Sequence, residues 1–224
     1  MYPSRNAAET ILQDAYMRNP GPWAKHSILT AMAAERIASV VVGLNPDHAY
    51  VNGMLHDIGR RNGPSGLKHA TDGYYYLQAQ GYEESANVCL SHSFPTKRIE
   101  SCLGAMDVTE PELCLIRQYF DRFEYNDYDR LIQLCDCIAD PDGYCLIEKR
   151  LVDVALRYGI NQHYVEKLKG YMSLRQLFDQ KIGKSIYSVL PGIVKGTFGT
   201  DQLTQLKQCD PEAIKCKQLL IMTS

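Results

Sequence analysis

Apolar positions along this chain recur at the spacing of helices almost from end to end, and β-branched alternation is nearly absent. The run His26 to Val42 (HSILTAMAAERIASVVV) is long and rich in helix formers, with Leu29, Ala33, Ile37 and Val40 on one face. Asn45 is placed to cap a second helix, Pro46 suits its first turn, and Gly59 is expected to end it after Asp57 and Ile58. A glycine-containing loop, Arg60 to Leu67, follows. Residues 69–80 form the next helix, stopped by Gly81, and Glu83 and Glu84 open another that Pro95 bounds. Thr109-Glu110-Pro111-Glu112 is a capping-box pattern ahead of LCLIRQYF. Asn126 or Asp127 starts DRLIQLCDCIA, Pro141-Asp142-Gly143 turns the chain, and helices follow at about 144–158 and 161–182, the latter capped by Asn161. Beyond Gly183 the pattern weakens, with a short helix expected from Asp210-Pro211-Glu212. The expectation is an all-α, compact helical bundle. Residues 20–182 would be its main domain, 1–19 an N-terminal helix or arm, and 183–224 a partly helical extension.

Composition narrows the function. The 224 residues are 45% apolar and 22% charged, ordinary for a globular chain, with a net charge of −2. A pI near 6.3 gives no basic signature of a nucleic-acid partner, although a local cationic cluster could hold a phosphate. The opening MYPSRNAAETILQDAYM has no long apolar run, and no stretch approaches the roughly 18 apolar residues of a membrane span, so a cytoplasmic protein is expected. Eight cysteines, at 89, 102, 114, 135, 137, 145, 209 and 216, include no C-x-x-C pair. Most lie in apolar helical runs and read as small core residues rather than a disulfide framework.

The chemistry lies in the histidines and two aspartates. His26 opens a helix on its buried stripe. His56 and Asp57 close another after an apolar run. They diverge by about 100° around the helix axis, yet can converge on a point past its end. His69 stands above Gly73 and Leu77, His92 follows Val88 and Cys89, and Asp136 shares a face with Ile132 and Ala139. A carboxylate in such apolar company needs a cation or strong donors. Any one of these could be a satisfied core residue. Together they are a ligand set for two metals sharing Asp57. His26, His56, Asp57 and Asp136 would hold one, and Asp57, His69 and His92 the other. Imidazole with carboxylate suits iron, manganese, zinc, cobalt or nickel, and the carboxylates admit magnesium. Two such metals polarise a bridging water and clamp phosphoryl oxygens.

The order His, then His-Asp, then Asp, in HSILTAMAAERIA, GMLHDIGR and LIQLCDCIAD, resembles the signature of the HD-domain superfamily, in its HDIG form at residues 56–59. The resemblance covers about residues 20–150. The segment KHATDGYYYLQAQGYEESANVCLSHS is similar to the region that supplies a second metal in dinuclear members, and CDCIADPDG resembles the YqeK-like subgroup. That subgroup carries adjacent histidines where this chain has Ser91-His92-Ser93. The resemblance implies a metal-dependent phosphohydrolase with a dinuclear centre, iron favoured, acting by metal-activated hydroxide on a nucleotide or dinucleoside polyphosphate. Two other functions fit the same ligands: a diiron oxygenase of the same fold, and a nucleotide-binding sensor without catalysis.

Outside the ligand set, Arg60 and Lys68 are candidates for catalytic phosphate contacts, and Arg61 for substrate binding, because they flank the motif in a glycine-containing loop. Lys97 and Arg98, just past His92, are a further candidate pair, and Trp23 or the Tyr74-Tyr75-Tyr76 run could stack on a base. His48 and His163 lie in polar first turns and receive no role. The expected partner is a phosphorylated small molecule, a nucleotide by preference, with neither nucleic acid nor membrane; homodimerisation is left open.

Overall fold

Helix starts and stops in this chain are written by short polar signals, and most act where the sequence puts them. The computed structural model describes residues 1–199. Among these, ten α-helices follow one another: α1 Arg5–Arg18, α2 Pro22–Ala38, α3 Pro46–Leu55, α4 Lys68–Gln78, α5 Glu83–Ser91, α6 Glu110–Arg122, α7 Asp127–Asp136, α8 Ile147–Tyr158, α9 Tyr164–Ile182 and α10 Ile193–Phe198. A two-stranded antiparallel hairpin, β1 Ala139–Asp140 and β2 Gly143–Tyr144, turns the chain between α7 and α8. Asn45 caps α3 by accepting from the Asp47 and His48 amides, and Asn126 caps α7 with a capping box closed by Asp129. Cysteines 209 and 216 and the helix expected from Asp210 lie outside the described residues.

The first apolar helix is shifted toward the N-terminus of its expected span. Pro22, at the first position, starts it, and it ends at Ala38, so Val40 lies beyond the helix and is exposed. Nor is it buried along one stripe only. Ala31 belongs to a core shared with α1, α3, α4 and α5, while Ala33, Ala34, Ile37 and Ala38 belong to a second core built with α7, α8 and α9. Small side chains let α2 serve both. A side chain at Gly53 of α3 would lie 2.7 Å from the Ala31 Cα, so the two helices touch backbone to backbone. A third core, around Leu90, Phe94, Ile116 and Phe120, fixes α6 against α5. Asn161 caps the turn before α9, accepting from the His163 amide, so α9 starts at Tyr164.

Gly59 does something different from its expected role of ending a helix. α3 stops at Leu55, and a 3-10 turn, Ile58–Asn62, continues the chain. A Cβ on Gly59 would sit 2.5 Å from the Gly73 nitrogen and closer still to the His69 carbonyl oxygen. The His56-Asp57 segment is therefore pressed directly onto the α4 backbone, and glycine is the residue that allows it. The opposite side of α4 is tied to α6. Lys68 Nζ donates to Asp72 Oδ1 and Glu112 Oε1, both at 2.9 Å, and Thr71 Oγ1 donates to Glu112 Oε1 at 3.1 Å. The other Glu112 oxygen accepts from the Thr109 amide and hydroxyl.

Gly59→Ala is expected to lower stability by about 1–3 kcal/mol through overpacking and to reduce bound metal by moving His56 and His69 apart; thermal melts and metal analysis of the purified variant measure both. The Glu112 network gives a pH signature. Burial alone would raise the Glu112 pKa, but the Thr109 amide, Lys68 and the two threonine hydroxyls outweigh it and hold it at about 2. This is below the roughly 4.3 of an unfolded chain, so its stabilisation is complete above that value and is lost as pH falls toward the folded one. Glu112→Gln should cost about 2 kcal/mol at pH 7, with the gap to the wild type narrowing in urea titrations from pH 4.5 to 3; a gap independent of pH would refute the assignment.

Candidate metal centre

Five helices bring the six candidate side chains to one place. His26 lies in the first turns of α2, His56 and His92 cap the C-termini of α3 and α5, His69 is in the first turn of α4, and Asp136 ends α7. His56 keeps helical angles (φ −56°, ψ −34°), but Asp57 turns out of the helix at φ −105°, ψ 14°. That single change of backbone direction overcomes the divergence of two adjacent residues and aims both side chains at one point.

The other ring nitrogen of each histidine is anchored. Nδ1 of His26 lies 3.2 Å from the Ala139 carbonyl oxygen, that of His56 2.7 Å from Gly53 O, and that of His92 2.9 Å from Cys89 O; His69 Nδ1 contacts Gly66 O. A carbonyl only accepts, so each Nδ1 carries the proton and each Nε2 presents a lone pair. These lone pairs converge. His69 and His92 face each other Nε2 to Nε2 at 3.2 Å, and His26 Nε2 faces Asp136 Oδ1 at 2.9 Å. His56 Nε2 is 3.7 Å from Asp136 Oδ1 and 4.0 Å from Asp57 Oδ2. Asp57 Oδ1 is 3.2 Å from His69 Nε2 and 3.7 Å from His92 Nε2. Two sets of mutually close ligand atoms result, His26 with His56 and Asp57, and Asp57 with His69 and His92.

Acceptors facing acceptors repel unless a proton or a cation stands between them. Protons are disfavoured here. Burial drives the His56 pKa down to about 4 and that of His69 to about 3, against the pull of the nearby carboxylates. Burial works to raise the Asp57 pKa, but the Arg60 guanidinium beside it overcomes this and holds the carboxyl well below its usual range. At neutral pH His56 and His69 are therefore neutral imidazoles beside an ionised Asp57. His56 Nε2 and Asp57 Oδ1 are buried without a hydrogen-bond partner among the described residues. Orphaned acceptors at the centre of a converging donor set fit a metal site, and the separations approximate those between neighbouring ligands with bonds of about 2.1 Å.

The cluster lies at the base of a cleft of about 1230 Å³. Trp23 and Arg60 line it, Arg60 also donating through Nε to Asp57 Oδ2 at 2.7 Å. The other cations expected at the site are elsewhere. Lys68 is held by Asp72 and Glu112, Arg61 pairs with Asp14 at 2.8 Å and stacks on Tyr76, Lys97 binds the Phe123 carbonyl and Glu124, and Arg98 pairs with Glu166 at 2.9 Å. None of the four lines the cleft. Nearness in sequence misled because the 3-10 turn and α4 point Arg61 and Lys68 toward carboxylates on α1, α4 and α6, and the turn after α5 points Lys97 and Arg98 toward Glu124 and Glu166. His48, in the first turn of α3, is buried between the Tyr2 and Tyr128 rings. Arg150, Arg157 and Lys167, absent from the sequence-based candidates, form the far wall. The one local signal was the seven-residue spacing of Arg150 and Arg157, which puts both on one face of α8.

A comparison with curated proteins finds no match. Among solved structures, the HD domain of the L. monocytogenes phosphodiesterase PgpH is 16% identical and covers 83% of this chain and 97% of that one, with a TM-score of 0.45. The same domain in complex with cyclic-di-AMP is 19% identical, with coverages of 85% and 98% and a TM-score of 0.46. No helix of the described residues is long and apolar enough to cross a membrane. Residues 23–139, just over half of the sequence and containing all six converging side chains, match the HD domain. The chain therefore belongs to the HD domain family and is a metal-dependent phosphohydrolase.

Proposed function

We propose that the protein hydrolyses a phosphoester or phosphoanhydride of a nucleotide at a dinuclear centre, with His26, His56, Asp57 and Asp136 holding one cation and Asp57, His69 and His92 the other. The observation that carries this is the common position of Asp57, whose carboxylate belongs to both sets of converging acceptors. The donor set, imidazole nitrogen with carboxylate oxygen, suits iron, manganese, zinc, cobalt or nickel, and iron is favoured. When bound, such a pair lowers the pKa of water and neutralises charge on phosphoryl oxygens.

The chain's own residues supply the rest. The four backbone carbonyls keep each imidazole in the tautomer whose Nε2 can coordinate. Arg60 fixes the outer oxygen of Asp57 and also faces the cleft, where its remaining N–H groups can meet a phosphoryl oxygen. The cleft exceeds the roughly 300–1,000 Å³ typical of small-molecule sites, which favours a nucleotide-sized substrate over a small phosphomonoester. Trp23 is held by its own indole N–H, which donates to the Asn19 carbonyl at 2.9 Å, leaving a ring at the cleft wall on which a base can stack.

Asp57→Ala is expected to lower kcat/KM at least about 10³-fold, the loss of several kcal/mol of charge stabilisation, and to reduce bound metal while far-UV circular dichroism is retained. Full activity in that variant, in a phosphate-release screen over nucleotides, would remove the bridging role. His92→Ala should release one metal and leave the other. Metal analysis of protein purified without chelators reads this directly, and a stoichiometry unchanged from the wild type argues for a mononuclear site.

A further inference from the structure

Four cations among the described residues line the cleft, and they differ in their partners. Arg60 is neutralised by Asp57, and Arg150 by Asp140 at 3.2 Å. Lys167 of α9 forms no ion pair among the described residues, although it is only 8% exposed. Its Nζ has one hydrogen bond, to the Ser101 carbonyl oxygen at 3.3 Å, and lies 5.5 Å from the centre of the Phe94 ring. Burial without a counter-charge pushes its pKa down, against the pull of Asp136 and nearby thiols. A lysine so placed is not a solvated side chain folded inward by chance. The wall around it is fixed: Asn161 donates to the carbonyls of Glu100 and Cys102, both at 2.9 Å, and Gly170 allows α9 to press onto Pro95 and Thr96. Arg157, one helix earlier, also lines the cleft without an ion pair among the described residues; its only hydrogen bond there is to the Asp153 carbonyl.

We infer that Lys167, assisted by Arg157, forms a second anion subsite, which holds a phosphoryl group beyond the one at the histidine cluster. The substrate then carries at least two phosphoryl groups in series, as a nucleoside or dinucleoside polyphosphate does. This rests on the phosphohydrolase reading above and narrows it to the anhydride class. A phosphoryl oxygen offers Lys167 the charged acceptor that it lacks, and a buried charge-assisted hydrogen bond is among the strongest single contacts available.

The test is binding rather than turnover. The metal-loaded chain of 224 residues is titrated calorimetrically with AMP and with the non-hydrolysable α,β-methylene-ADP. Lys167→Met is expected to weaken the diphosphate at least about tenfold, to change AMP affinity less than about twofold, and to leave metal content unchanged. Lys167→Arg should retain most of the preference. Arg157 is exposed, so Arg157→Gln cannot fail by unfolding a core; it should shift the diphosphate in the same direction by roughly threefold, and it decides the question alone if Lys167→Met does not fold. Equal weakening of both nucleotides, or of neither, overturns the subsite. Selective diphosphate binding without metal-dependent phosphate release would instead leave the subsite standing and sink the catalytic reading.

Discussion

The protein depends on where four ring protons sit. Each imidazole of the cluster donates Nδ1–H to a backbone carbonyl, and this leaves every Nε2 bare and inward. Three of the four use the same local device, a carbonyl three residues earlier: Gly53 for His56, Gly66 for His69 and Cys89 for His92. For His56 and His92 the device has a helical cause. Both are C-caps, and carbonyls in a last helical turn have no intrahelical donor. The histidine satisfies one of them and is oriented by doing so. Helix termination and ligand presentation are thus one event at two of the six positions. His26 differs. Its acceptor, Ala139, lies on the hairpin beyond α7, so its tautomer is set only once the chain has closed on itself.

This separates what the sequence could reveal from what it could not. The helices, the Asn45 and Asn126 caps and the Thr109 capping box are local, and local spacing predicts them. The ligand set is legible for a related reason: ligand-type residues in apolar helical runs are conspicuous, and an ordered set of them is more so. The contacts of Arg61, Lys68, Lys97 and Arg98 differ from the expectation because they depend on tertiary direction. Lys68 follows the motif in sequence by little more than ten residues, yet it faces α6. Lys167 is far along the chain, yet it faces the cleft. Gly59 was misread because its spatial neighbours are on another helix. A glycine required by close approach and one required by a turn look alike in a single sequence.

Presenting acceptors to one another opposes folding, since buried and unpaired polar atoms are costly. The fold meets that cost by surrounding the cluster with rigid contacts. α2 carries alanines into two cores, Gly53 admits α3 against Ala31, and Gly59 admits the His56-Asp57 turn against α4. With backbones in direct contact, the six side chains cannot relax apart without breaking the cores. The strain of facing lone pairs is held in place, where a bound cation would relieve it without movement.

The same geometry explains why the site opens on one side. His56 is fully buried and Asp57 nearly so, but the Asp136 side chain retains 19% exposure and faces the cleft. The accessible edge of the cluster is therefore the edge at Asp136, and the cleft it opens into is lined both by the segment matching the family and, beyond it, by α8 and α9. The converging histidines and aspartates lie within the segment matching the family, and the cleft cations Arg150, Arg157 and Lys167 lie beyond it. The first part has to keep its spacing to hold the cluster. The second contributes no ligand to it, so residues at Arg150, Arg157 and Lys167 can change what enters the cleft without disturbing the ring protons on which the centre depends.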